Sequence, residues 1–251
     1  MNDFCQIQWL DQIEYGQTLE LQKKLVTKRA ANEIPDTLLL LEHPPTYTLG
    51  VDSHREHLLI SDEQMARLNI AYHEVDRGGS ILYHCPGQLV AYPILKLGKS
   101  CYTYHEYIKM LESVIIRTLS FFKVRAFRQQ GQRGVWVFSG NSATQSGRQE
   151  QFDSSVAKMS AIGVKVDTNN ITSHGFAINI NPRLEFFDLI VPGGVRDCQV
   201  TSLRHVLNKS IQISNVVKPV IESFCEIFEM EPLLLETPIT NQHSCPLRIM
   251  I

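Results

Sequence analysis

Arg77-Gly78-Gly79-Ser80-Ile81-Leu82-Tyr83-His84-Cys85-Pro86-Gly87-Gln88 runs directly into Leu89-Val90-Ala91-Tyr92-Pro93-Ile94-Leu95-Lys96-Leu97. Two extended segments, 80–84 and 89–97, are joined through a Pro-Gly turn. Adjacent glycines let a backbone approach a ligand closely and take positive φ. The arginine before them can hold an anion or a carbonyl. His84 closes the first strand beside the turn. A tight hairpin with a structural histidine fits the same letters, and the residues alone leave both readings open. The stretch is neither a dinucleotide fingerprint nor a phosphate-binding loop, since it lacks both G-x-G-x-x-G and Walker A spacing.

Outward from this stretch, strand-like and helix-like runs alternate, which points to mixed α and β. Leu38-Leu39-Leu40-Leu41 runs into Glu42-His43-Pro44-Pro45, a buried strand stopped by a double proline. Ile108, Leu111, Ile115, Leu119 and Phe122 recur at spacings of three and four and share one helix face. Val217, Val220, Ile221, Phe224 and Phe228 do the same, with Ser214 expected as N-cap. Further strands are expected over 134–138, 159–166, 173–180 and 188–191. The run 141–155 holds only Ala143 and Phe152 as apolar residues, too few to order itself, and reads as a mobile insertion between strands. The expected organisation is one catalytic domain over 1–238 and a loose tail over 239–251.

Composition agrees with one enzyme-sized domain. The chain has 251 residues, 43% hydrophobic and 20% charged, with a net charge of −2. That excludes wholesale disorder and gives no broad electrostatic footprint for nucleic acid or an anionic membrane. No run approaches the ~20 apolar residues of a spanning helix. The first residues lack the basic and apolar regions of a secretory signal, so a cytoplasmic location is expected. Six cysteines, at 5, 85, 101, 198, 225 and 245, include no CxxC pair. His54 and His57 have no thiol nearby in sequence, so no metal site and no cofactor are expected.

Three more segments carry chemistry. Lys158 stands before the apolar run of Met159-Ser160-Ala161-Ile162-Gly163-Val164. It is either a solvated edge charge or a lysine held against an apolar wall. In the second case it could lower a thiol pKa or act as a base. Ser173-His174-Gly175-Phe176-Ala177 enters an alternating strand that ends in Asn179 and Asn181. Val191-Pro192-Gly193-Gly194-Val195-Arg196-Asp197-Cys198 forms a loop whose free amides could hold an oxyanion, before Thr201-Ser202 opens a helix.

Together and in this order, these segments resemble the lipoyl(octanoyl) transferases of lipoate biosynthesis, over roughly residues 10 to 230. The 38–50 stretch, LLLLEHPPTYTLG, adds to the resemblance. It implies an α/β fold of the biotin/lipoyl protein ligase type, a mixed sheet with helices packed on it. It implies transfer of octanoyl from octanoyl-acyl carrier protein to a lysine of lipoyl domains, including the glycine-cleavage H protein. A monomer is expected. A thioester donor is already activated, so no nucleotide is needed. Lys158 matches the family's activating lysine. Arg77, Gly78, Gly79, Ser80, Ile81, Leu82, Tyr83 and His84 match the acyl-binding loop. Ala161-Ile162-Gly163 and Gly175-Phe176-Ala177 match the other two pocket segments. Arg125, Arg128 and Arg133 are candidates for a basic patch facing acidic partners.

The family's nucleophile belongs to a V-P-C-G motif, and here Gly193 holds the cysteine position. Conversely, Cys85 stands where the family has H-G-P-G-Q. The expectation is a thiol moved across the pocket, with Cys85 the first candidate and Cys198 the second, provided the loop after Gly193 folds back. Three alternatives stay open: direct transfer without a covalent intermediate, a binding protein that has lost catalysis, or an ATP-dependent lipoate or biotin ligase relative.

Overall fold

The computed structural model describes residues 3–98, 103–138 and 156–234. The expected insertion over 141–155 and the tail over 239–251 lie outside the described residues, as do Cys101 and Cys245.

The four leucines form the centre of a large mixed sheet. They belong to β2 (Asp36–Glu42), which pairs parallel with β1 (Asp3–Gln12) and antiparallel with β6 (Gln88–Ile94). The parallel pairing needs a crossover, supplied by α1 (Tyr15–Ala30). From β6 the sheet continues antiparallel through β10 (Thr172–Asn179), β9 (Val156–Val166), β8 (Gln132–Phe138) and β7 (Ala126–Gln129). On its other edge β11 (Met230–Leu234) flanks β1. A strand covered on both faces reads as continuously apolar. Leu38 and Leu40 accordingly enter the main core with α3 (Tyr104–Phe121) and α5 (Ser214–Phe228), while Leu39 and Leu41 pack towards α1.

A second sheet of three strands, β4 (Ala71–Glu74), β3 (Thr46–Leu49) and β5 (Ile81–His84), has its own small core. The short helix α2 (Asp62–Arg67) packs Met65 there, and Ser61 and Gln64 form a reciprocal cap at its start. Ser202 caps α4 (Leu203–Leu207), accepting a hydrogen bond from the His205 amide.

Two expectations are corrected. Ser214 is the first residue of α5 and not its N-cap; Ile213 precedes the helix and no side chain caps it. Residues 188–191 do not form a strand. Leu184–Leu189 is a 3₁₀ helix, and one bridge from Ile190 to Leu58 follows it. Phe187 and Ile190, three apart, turn to the same small core, which suits the three-residue repeat of a 3₁₀ turn. Among the described residues no helix is long and apolar enough to cross a membrane.

Candidate active site

The site lies where the two sheets meet. On β5, alternation sends Leu82 and His84 to one face and Ile81 and Tyr83 into the small core. Arg77 is buried and does not reach out to an anion. Its guanidinium donates to the carbonyls of Thr48 (2.7 Å), Ser80 (2.8 Å) and Gly78 (3.2 Å), and so ties the loop together. Burial lowers its pKa to about 10. Gly163 lets this side chain pass, since a Cβ there would lie 2.7 Å from Arg77 Cδ. Gly78 donates its amide to the Val164 carbonyl (3.0 Å), and Gly79, at φ 88°, donates to Asp52 (2.8 Å).

Lys158 on β9 is buried and forms no ion pair with any of the described residues. Its ammonium stands 5.4 Å over the Trp136 ring. Burial lowers its pKa; the nearby Cys198 sulfur opposes that shift. The segment after Gly193 does fold back. Lys158 donates its amide to the Gln199 carbonyl (2.7 Å) and accepts from the Thr201 amide (3.0 Å). Gly193, at φ 64°, has its Cβ direction aimed at Lys158 Nζ, 3.2 Å away.

The two thiols part company here. Cys85 follows His84 in an extended chain, so when His84 faces the pocket Cys85 faces away. It lies in the small core with Tyr47, Tyr83 and Phe187, and burial pushes its thiol up to about 12. Among the described residues its side chain lies with apolar and aromatic neighbours, away from the cavity that Lys158 borders. Cys198 is half-buried and coupled to Lys158: burial raises its pKa and Lys158 lowers it.

Lys158 and Gly193 border a narrow cavity of about 20 Å³, shared with Leu82, Ala161 and Val200. Inward, Leu82 and Ala161 also border a second cavity of about 10 Å³, reached by Arg77, His84, Gly163, Gly175 and Ala177. Outward, Pro192 and Val200 continue into an open groove of about 830 Å³ that includes Cys198. Ile162 points to the opposite face of β9, into the main core, and Phe176 belongs to that core as well.

Around His84 stand several polar residues that are not site candidates from the sequence. His84 donates from Nδ1 to Gln88 Oε1 (2.8 Å), because the Gln88 amide nitrogen is itself committed to Tyr83 O and Asn179 Oδ1. Asn179 donates to the Thr201 carbonyl (3.0 Å), linking His84 to the strap over Lys158. Tyr15, His43 and Tyr92 complete the inner wall: His43 bonds Tyr92 (2.8 Å) and Tyr15 lies beside His84. Their only sequence signal was polarity inside otherwise apolar runs. Of the proposed basic patch, Arg128 is held by Glu112 (2.9 Å), and Arg133 covers the Tyr104 ring beside Gly78. Arg125 is exposed.

The lipoyl protein ligase A/B catalytic domain profile matches residues 14–225. The chain is 40% identical to the octanoyltransferase of Chloroflexus aggregans over 224 residues, 89% of this chain and 95% of that one. It is 41% identical to the octanoyltransferase of Acidobacterium capsulatum over 238 residues, 91% and 92% of the two chains. The chain belongs to the octanoyltransferases of the lipoyl protein ligase A/B catalytic family. Among solved structures, a bipartite lipoate protein ligase of Thermoplasma acidophilum shares the fold. Its TM-score is 0.64 at 11% identity, covering 94% of this chain and 88% of that one. A lipoate-protein ligase A bound with ATP does so with a TM-score of 0.61 at 12% identity, covering 94% and 90%. An acyltransferase thus occupies a mixed sheet that its ligase relatives also use.

Proposed function

We propose that this octanoyltransferase takes its acyl group from octanoyl-acyl carrier protein. It passes the group to a lysine of lipoyl domains, the glycine-cleavage H protein among them, by way of Cys198. The observation that carries this is the fold-back of 193–201 over the Lys158 backbone, which brings the Cys198 thiol within electrostatic reach of the Lys158 amine. Lys158, whose hold on its proton burial weakens, accepts the Cys198 proton. The sulfur attacks the thioester carbonyl, the carrier sulfur leaves, and Lys158 returns the proton to it. The acceptor amine then attacks the new thioester and loses its proton to water, Cys198 leaves as a thiolate, and Lys158, neutral since it protonated the carrier sulfur, takes a proton from water to become the thiolate's counter-ion. Gly193 gives up the family's sulfur position, and Cys198 reaches the same lysine from five residues along the strap.

The test is intact mass after incubation with octanoyl-acyl carrier protein, with transfer to a lipoyl domain followed in the same tubes. A hydroxylamine-labile octanoyl adduct lost in Cys198→Ser and kept in Cys85→Ser is expected. Normal transfer with no adduct in any of the proteins would mean direct attack of the acceptor on the carrier thioester, and an adduct lost only in Cys85→Ser would move the sulfur there.

A further inference from the structure

A hydrogen-bonded serine–histidine pair stands against the Gly193-Gly194 turn, next to the glycine that approaches Lys158. Ser80 Oγ lies 2.7 Å from His57 Nδ1. The His54 amide also points at that nitrogen, at 3.3 Å. An amide can only donate, so Nδ1 carries the lone pair and the ring proton is on Nε2. Ser80 therefore donates its hydroxyl proton to His57 and keeps its own lone pairs for another donor.

The pair is fixed to the turn. Val191 donates its amide to the His57 carbonyl (2.8 Å), and Leu59 donates to Leu189 (3.0 Å). A Cβ on Gly194 would lie 3.1 Å from Ser80 Oγ and 3.4 Å from the His57 ring, so no side chain fits between them and the turn. Ser80 is buried, whereas His57 is half-buried with a route to solvent. Gly193 thus approaches Lys158, and its neighbour Gly194 approaches Ser80 and His57.

We infer that Ser80 and His57 relay the proton released when the acceptor lysine forms its amide. The neutral amine attacks the octanoyl carbonyl, and the nitrogen becomes positive. Its proton passes to Ser80 Oγ as the Ser80 proton passes to His57 Nδ1. The C–S bond breaks and the sulfur leaves as thiolate beside Lys158. His57, now carrying a proton on each nitrogen, loses one to water. This rests on the octanoyl-transfer reading above and holds whichever sulfur bears the acyl group.

Formation of octanoyl-enzyme and of octanoylated lipoyl domain are timed separately in wild type, His57→Ala and Ser80→Ala. In both variants modification of the lipoyl domain is expected to slow on the order of 10²-fold more than acylation does. Added imidazole should restore His57→Ala and leave Ser80→Ala slow. Wild-type transfer rates in both variants, or equal slowing of both steps without imidazole rescue, would overturn the relay. If wild type modifies the lipoyl domain with no octanoyl-enzyme, the covalent reading fails, and the relay is judged on the overall rate by the same rescue.

Discussion

Lys158 is a buried amine without a counter-ion among the described residues, and burial disfavours its charged form. The unfolded chain therefore binds the lysine proton more tightly than the folded one. Stability from this site rises as pH increases towards the ordinary lysine value of ~10.4. Lys158→Met removes that dependence. The variant should melt above wild type at neutral pH, and the gap should close as pH rises, while transfer falls by on the order of 10²-fold. A gap independent of pH would count against an uncompensated lysine. Gly193 offers the complementary test. A cysteine there would put its Cβ 3.2 Å from Lys158 Nζ, at a φ that costs a non-glycine residue about 1–2 kcal/mol. Gly193→Cys in a Cys198→Ser background should regain octanoyl adduct and transfer, measured by intact mass, at slightly lower stability. Cys85 shows where letters mislead. Adjacency to His84 in the chain suggested adjacency in the site, but neighbours in a strand face opposite ways.

At the scale of elements, β10 and β6 tolerate no Cβ between them. One on Gly175 would come within 2.0 Å of the Ala91 carbonyl oxygen. Gly175→Ala should cost more than ~4 kcal/mol in urea unfolding, if it folds at all. Gly16, in the first turn of α1, meets nothing nearer than 3.6 Å, so Gly16→Ala should gain up to about 1 kcal/mol. A reversed order of these two stabilities would refute the packing argument. The same elements mark what the sequence could disclose. β2, α3 and α5 were legible because apolar residues at the right period face a core. α1 was not: its fully buried face is Tyr15, Thr18 and Gln22, and no apolar stripe marks it. Gln22 is kept inside to accept the His174 amide (2.7 Å), a bond to a residue 152 positions away. Long-range polar pairings of this kind, and the fold-back of 193–201, depend on tertiary placement and leave no local period to read.

Across the whole molecule, α1, the large sheet and the small sheet bury three histidines around one inner wall. Burial lowers His43 to about 4, and His84 and His174 are also pushed down by burial, although Asp76 bonds His174 at 2.9 Å. Histidines neutral in the fold take up protons on unfolding below ~6.5, so their contribution is present above that value and lost as pH falls. For His43 alone the loss from pH 6.5 to 4 is roughly 3 kcal/mol. The Asp76 carboxyl, held low chiefly by its bond to His174, keeps its contribution until pH drops below the carboxylate range. Urea midpoints should therefore fall steeply between pH 6.5 and 4; a flat profile there would refute neutral burial. We propose that the acyl chain lies at the same junction. The cavities of about 20 and 10 Å³ each hold little more than a water and meet at Leu82 of the small sheet and Ala161 of the large one. An eight-carbon chain running from Lys158 towards Tyr15 must part these two residues, whereas a four-carbon chain can stop short of them. Ala161→Leu adds three carbons at that point and should slow octanoyl transfer at least ~10-fold while sparing butyryl transfer, since each buried methylene is worth about 0.8 kcal/mol. Rates for butyryl- and octanoyl-acyl carrier protein on the two proteins decide it: equal slowing of both donors would mean the acyl chain does not pass between the sheets.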